Sequence, residues 1–395
     1  MTSYPHALPS PVIVVGAGCI GLTTGIELLR RGYPVLLIAQ HLVGDGLDPV
    51  FASTAAGAHH LSFADNADWR QRWFDLKTFE KLWAESEDKD AGETIGVMRL
   101  TQTELYKGDT HLRLFEQLPD FRIHDASQLP EGIEHSVSFT SMTIEPARYL
   151  PYLTRLFTSL GGITHRVPKL DSLADARKYA RSPLAIVNCT GLGSRFLSDV
   201  TDDTVHPVRG QVLAVDAPWV KTGWTRQIGS LAGGEGGERT YVIPRASGEV
   251  IIGGTRETDD WETRPRPETT NDILRRALQI CPSLACPPSE PASSASPVET
   301  LRTLIKSEVV GFRPTRDAGV RLEAVPSFFA PDNGEQTPVV MNYGHGGFGW
   351  QSCWGCAEEA ARIVGEEVRR VKAEKEKKRG GERQTKADKV WKAKL

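Results

Sequence analysis

Residues 11–15 followed by Gly16-Ala17-Gly18-Cys19-Ile20-Gly21 constrain this chain more than any other feature. A short β-branched run leads into G-x-G-x-x-G, residues 22–31 carry apolar side chains at helical spacing, Gly32 ends them, and residues 35–39 read as a second strand. Strand, glycine turn, helix and strand together form the context that a dinucleotide fingerprint requires. Gly16 permits the tight turn, Gly18 lets backbone approach a pyrophosphate, and Gly21 lets the helix lie close on the strand. The helix N-terminus adds N–H groups and a partial positive charge for the phosphates. Where an acidic residue would close the second strand to bind a ribose, Gln40 and His41 stand instead. That weakens a nicotinamide reading more than a flavin one.

The rest of the chain alternates between helical and extended patterns. Residues 51–65 are rich in small side chains, among them Ser53, Thr54, Ala56 and Gly57, which suit close approach to a flat ring. Residues 66–87 and 146–161 have helical spacing. Residues 186–193 read as a buried strand ending in the turn Thr190-Gly191, the end of a parallel strand where cofactors bind. Residues 241–255 alternate like two strands around Ser247-Gly248, and the Pro- and Ser-rich residues 282–297 are expected to be a surface loop. A last strand, 339–343, runs into Gly344-His345-Gly346-Gly347-Phe348-Gly349 and a helix over 352–371. There are no internal repeats.

At 395 residues the chain has room for two packed domains. No apolar run approaches the ~20 residues of a membrane span, and residues 1–11 lack the basic start and apolar stretch of a secretory signal. Residues 369–395 hold twelve Lys or Arg against four Asp or Glu, so the remainder carries a net charge of about −11 where the whole has −3. The basic character is therefore local to a tail expected to fray from helix into disorder. No folded element accompanies it, and a nucleic-acid partner is not expected. Ala393-Lys394-Leu395 is a near match to the S-K-L address of the peroxisomal import receptor. Six cysteines are expected to be reduced. Cys353 and Cys356 lack a second ligand pair, so they are read as helix packing and no metal site is expected. Nothing in the sequence reads out an oligomeric state.

VIVVGAGCIGL, VNCTGLGS, PVRGQV, YVIPRASGEVIIGGT, VVGFRPTRDAGVRLE and above all NYGHGGFGWQSCWGCA resemble the D-amino acid oxidase family of FAD-dependent oxidases from near Pro11 to about Val364. The resemblance implies an α/β fold. A Rossmann-type FAD-binding domain (residues 1–60, 145–207 and 336–368) would carry an inserted, mainly antiparallel-sheet substrate domain (61–144 and 208–335), and 369–395 would be the tail. It implies FAD at Gly16, Ala17, Gly18, Ile20, Gly21, Ser53, Thr54, Ala56, Gly57, Val167, Thr190, Gly191, Gly346, Gly347, Phe348, Gly349 and Gln351. It also implies that Arg313 and the Tyr241 hydroxyl hold the substrate α-carboxylate while the Gly347 carbonyl accepts the amine. A hydride would pass from Cα to flavin N5 and the electrons on to O2, giving hydrogen peroxide, and the imine would hydrolyse to a 2-oxo acid and ammonia.

Two further arginines bear on the substrate. Arg256 and Arg226 are similar in position to arginines of the D-aspartate oxidase branch, where a side-chain carboxylate needs a fixed cation in a desolvated pocket. Two bland alternatives stay open. Arg226 could lie on a surface lid near the glycine-rich residues 229–237, and Arg256 could pair with Glu257, Asp259 or Asp260. An acidic D-amino acid is the expected substrate, and a neutral one is the alternative. His59 and His60 are placed near flavin or substrate, His345 is expected to be structural, and Arg209 is expected to orient a strand near the site's floor. A related sarcosine or glycine oxidase and a non-catalytic flavin sensor are the competing classes.

Overall fold

A computed structural model describes residues 10–62, 64–108, 115–125, 127, 129–229, 237–286, 295–325, 328–329 and 336–392. The first strands are β1 Val12–Val15, β2 Val35–Ala39, β3 Val97–Lys107, β4 Arg122–Ile123, β5 His135–Ile144, β6 Ile163–Arg166, β7 Ala185–Asn188 and β8 Val205–Asp216. They are followed by β9 Gly223–Ile228, β10 Glu238–Pro244, β11 Glu249–Gly253, β12 Glu257–Thr258, β13 Ile305–Arg316, β14 Arg321–Val325 and β15 Val339–Tyr343. The helices are α1 Cys19–Arg30, α2 Ala52–Ala55, α3 Trp69–Glu85, α4 Ala91–Thr94, α5 Pro146–Ser159, α6 Pro267–Ile280, α7 Pro297–Thr303 and α8 Gly349–Lys392.

The strands form two sheets. One has the order β14-β15-β7-β1-β2-β6 and is parallel except for β14. The other has the order β12-β8-β11-β10-β9-β3-β5-β4, with β13 also paired to β8, and is antiparallel except for β3 against β9. β1 and β2 are buried throughout, as parallel strands covered on both faces must be. Alternate residues reach opposite cores. Val12, Val14 and Leu37 pack with Leu22 and Ile26 of α1 and Val364 of α8, while Ile13, Val15, Leu36 and Ile38 pack with Leu173, Leu197 and Phe312. A third core joins Ile273, Leu274 and Ala277 of α6 to Leu213, Val215 and Ile252.

The domain expectation from sequence meets two exceptions. β14 falls in the 208–335 segment yet pairs with β15 in the parallel sheet. α3 falls in 61–144 yet buries Phe74 and Leu82 in the core of α1 and α8. Hydrophobic burial, not chain order, decides which sheet each joins. The tail also differs from expectation, because α8 continues to Lys392 instead of fraying after 371. Arg362 pairs with Glu359 and Glu366, and Arg370 with Glu367 and Glu374, at the i,i+3 and i,i+4 spacings that support a solvated helix. Residues 393–395 lie outside the described residues, as do 287–294 of the expected loop. Among the described residues no helix is long and apolar enough to cross a membrane.

α3 and α8 meet at Gly355, where an added Cβ would overlap the Phe74 carbonyl and lie 2.5 Å from its Cα. Gly355→Ala is expected to lower stability by about 1–3 kcal/mol, the usual range for overpacking. The measurement is the midpoint of a denaturant melt, and an unchanged midpoint would show that α3 can shift without loss.

Candidate active site

A cavity of about 870 Å³ opens where the C-terminal ends of β1, β2 and β7 meet the antiparallel sheet. That volume lies in the upper part of the range for ligand sites. Val15, Ala39 and Cys189 mark the strand ends, the position at which open α/β sheets bind ligands. Gly16, Ala17, Gly18 and Ile20 line it, with Gln40, His41, Val167, Thr190 and Gly191. Gly16 adopts φ +117°, open to glycine, and a Cβ there would overlap the Cys189 carbonyl. At Gly18 a Cβ would lie 2.8 Å from Ser53 Oγ, the atom that accepts from Cys19 N at 3.0 Å. Trp350 Nε1 donates to the Ser53 carbonyl at 3.2 Å, tying the start of α8 to α2.

The wall continues through Ser53, Ala56, Gly57, His59, Gly346, Gly347, Gly349 and Gln351. Three residues expected at the cofactor stand off it. Thr54 donates its hydroxyl to the Phe51 carbonyl at 2.9 Å, and Phe348 packs against the hydrophobic core. Gly21 lies beneath the turn, where a Cβ would overlap the Gly16 carbonyl oxygen. Each side chain or Cα position here follows the packing of its own turn, which a linear motif does not specify.

Beyond the flavin-sized wall the cavity is ringed by cations. Arg239, Arg256 and Arg313 line it together with Tyr241. Arg313 sits on β13 and donates from Nη1 to the Thr255 carbonyl at 3.0 Å. Gly210 makes room for it, since a Cβ there would come 2.7 Å from Nη1. Gly253 likewise clears space for the Tyr241 ring, with a Cβ only 2.9 Å from the hydroxyl. Gly347 bridges the group: a Cβ there would lie 3.7 Å from Arg313 Cδ and 3.9 Å from Arg256 Nη2. Glu257 and Asp260, offered by sequence as surface partners for Arg256, instead pair with Arg209 (2.5 Å) and Arg266 (3.1 and 2.6 Å). Arg209 is fully buried, donating also to the Glu262 and Arg264 carbonyls.

Arg226 corrects the sequence reading. It projects from β9 away from the cavity, donating to Gln279 Oε1 at 2.7 Å and Glu238 Oε1 at 2.8 Å. The wall position belongs to Arg239, which sequence analysis passed over. The signal was there: Arg239 is two residues before Tyr241 and therefore shares its face of β10. The glycine-rich insertion before it, whose residues 230–236 lie outside the described residues, obscured the alignment.

The cations shape the protonation of their neighbours. Burial, with the Arg239 charge second, pushes the His59 pKa down to about 3, and burial takes His345 to about 3 as well. Both rings are neutral at neutral pH. Burial and the adjacent Arg256 push the Arg239 pKa down, while Glu104 and Tyr241 act to raise it. Among the described residues the Nε2 atoms of His59 and His345 are buried without a hydrogen-bond partner, so each offers a polar contact to a bound group. A glycine cradle at a helix N-terminus, a ring-sized slot of small residues and unpaired ring nitrogens fit a flavin dinucleotide.

Residues 11–363 match the family described as FAD-dependent oxidoreductase (DAO). The chain is 48% identical to a D-aspartate oxidase of Cryptococcus neoformans var. grubii, over 91% of this chain and 98% of that one. It is 31% identical to a D-amino-acid oxidase of Fusarium vanettenii, over 90% and 97%. Among solved structures, a glycine oxidase from Geobacillus kaustophilus shares the fold with a TM-score of 0.65 at 17% identity, covering 90% of this chain and 95% of that one.

Gly21→Ala is expected to lift α1 off the turn and abolish dinucleotide retention. Protein purified from the variant should lack the flavin absorbance band that the parent carries. A variant of undiminished colour would show that the turn can move without losing its ligand.

Proposed function

We propose that this chain, which belongs to the FAD-dependent oxidoreductase family, is an oxidase of acidic D-amino acids with D-aspartate as substrate. The observation that carries the reading is the set of three guanidinium groups, Arg239, Arg256 and Arg313, facing one cavity with Tyr241. A dicarboxylic amino acid brings two anions into a site of low dielectric, and each must find a fixed cation there. A neutral D-amino acid needs only one.

In this reading Arg313 holds the α-carboxylate through its planar fork, with the Tyr241 hydroxyl as second donor. The Gly347 carbonyl accepts a hydrogen bond from the amine. Arg256 and Arg239 take the side-chain carboxylate. These contacts fix the Cα–H direction, and orientation supplies most of the rate when no proton has to be removed by a protein base. Bound FAD would supply the hydride acceptor and the route of the electrons to O2, giving hydrogen peroxide, and water hydrolyses the resulting imine to the 2-oxo acid and ammonia. α8 begins at Gly349 on the cavity wall, and its positive end favours negative charge developing there. Relatives named D-aspartate oxidase and D-amino-acid oxidase both match, so side-chain charge is the property to test.

The proposal extends to the last three residues. Ala393-Lys394-Leu395 is read as a peroxisomal import signal, and peroxide release gives that address a chemical rationale. Deleting the three residues should move a fluorescently tagged protein from organelles to the cytosol. An unaltered distribution refutes the signal.

Peroxide release measured on D-aspartate, D-glutamate, D-alanine and D-methionine is expected to favour D-aspartate. Arg256→Met should lower kcat/KM for D-aspartate by about 30-fold or more, the scale of losing one partner of a buried charge pair. Arg226→Met should leave it within about threefold, as for a surface ion pair. Preference for neutral substrates would replace the assignment with a general D-amino acid oxidase.

A further inference from the structure

A polar row lies behind Arg239 in the antiparallel sheet. Glu104 on β3 stands opposite Thr225 on β9, and Thr225 stands opposite Tyr241 on β10. Side chains directly opposite share a face, and so do residues two apart along a strand. Gln102, Glu104, Thr225, Arg239 and Tyr241 therefore occupy one face, with Glu104 one layer behind the cavity wall. Glu104 is 1% exposed and Thr225 fully buried. Gln102 Nε2 donates to Glu104 Oε1 at 2.7 Å and to Thr225 Oγ1 at 3.1 Å. The Glu104 carboxylate acts on Arg239 through its charge.

From this row we infer that Glu104 is a positioning residue that shares Arg239 with the substrate's second carboxylate and so sets how tightly acidic substrates bind. The inference rests on the assignment of Arg239 to that carboxylate. A buried guanidinium without a counter-charge is strongly unfavourable. Glu104 provides the counter-charge when no second carboxylate is bound, and it competes when one is. Three guanidinium groups and one carboxylate leave two positive charges, which two substrate carboxylates neutralise. A substrate with an uncharged side chain leaves Arg239 with Glu104, so one positive charge remains where it would otherwise be two. Glu104 thus weakens the binding of diacids and broadens what the pocket accepts.

Glu104→Gln keeps one oxygen acceptor for Gln102 Nε2 but removes the charge. KM and kcat are measured on D-aspartate and D-alanine, and malonate, a dicarboxylate with no amine, is titrated by the change in flavin absorbance. KM for D-aspartate and Kd for malonate are expected to fall roughly tenfold, as for removing a like charge at short range in a partly buried site. kcat should stay within about twofold, and KM for D-alanine should not fall. Should the variant fail to fold, the wild type still tests the inference. Burial pushes the Glu104 carboxyl up, so it gains a proton and releases Arg239 as pH falls. Facing it are Arg239 and Tyr241 from β10 and Tyr106 from β3, while Thr225 and Gln227 of β9 and Val137 of β5 add no charge. Malonate should then bind more tightly at about pH 6.5 than at about pH 8.5, relative to acetate. A wild type that prefers D-alanine overturns the substrate assignment and this inference together. A wild type that prefers D-aspartate, with a variant whose KM for D-aspartate is not lowered or moves equally with that for D-alanine, overturns the sharing alone. In the unfolded-variant case, malonate affinity flat in pH does the same.

Discussion

Where β1 hands over to α1, no methyl group fits at Gly16, which lies against the Cys189 carbonyl, or at Gly21, which lies against the Gly16 carbonyl. That contact sets the rest of the molecule. The Cys189 N–H donates to the Val15 carbonyl at 2.9 Å, so β1 and β7 end at the same level and open one cleft between them. α1 starts from the floor of that cleft. Ser53 answers from α2 through the Cys19 N–H, and Trp350 of α8 fastens Ser53 in turn. A dinucleotide site and the start of the C-terminal helix are thus tied to one glycine turn.

The second constraint is electrostatic. Three arginines facing one cavity repel one another, and burial sharpens the repulsion. The fold offsets this from behind. Glu104 shares Arg239's face of the sheet, while the Thr255 carbonyl accepts from Arg313 in the space left by Gly210. Arg209 and Arg266 engage Glu257, and Arg266 engages Asp260. What remains toward the cavity is a positive surface, with Arg239 and Arg313 fixed on β10 and β13 and Arg256 in the short turn between β11 and β12, the condition under which fixed charges orient a ligand.

Much of this was legible in the sequence because local rules coincided. The glycine turn, the buried runs of β1, β2, β7 and β15, and the helices α1, α3 and α5 each follow from periodicity and turn chemistry within a window of some twenty residues. Arg313 and Tyr241 were found through a resemblance carried by the segments around them. Thr54, Phe348 and Arg226 show the limit. Each sits in or beside a segment that does touch the cavity, yet one rotation along the backbone turns its side chain to a carbonyl, a core or a surface acid.

The sequence by itself determined that a dinucleotide turn follows the first strand and that helices cover a parallel sheet. These features depend on residues close in sequence, where spacing and steric preference act directly. Only the tertiary structure decided that Arg239 and not Arg226 joins Arg256 and Arg313, that β14 completes the parallel sheet, and that Glu104 stands behind the cations. The physical reason is register: which of two neighbouring side chains enters a cavity is set by pairing between strands distant in sequence, and a shift of one residue reverses it.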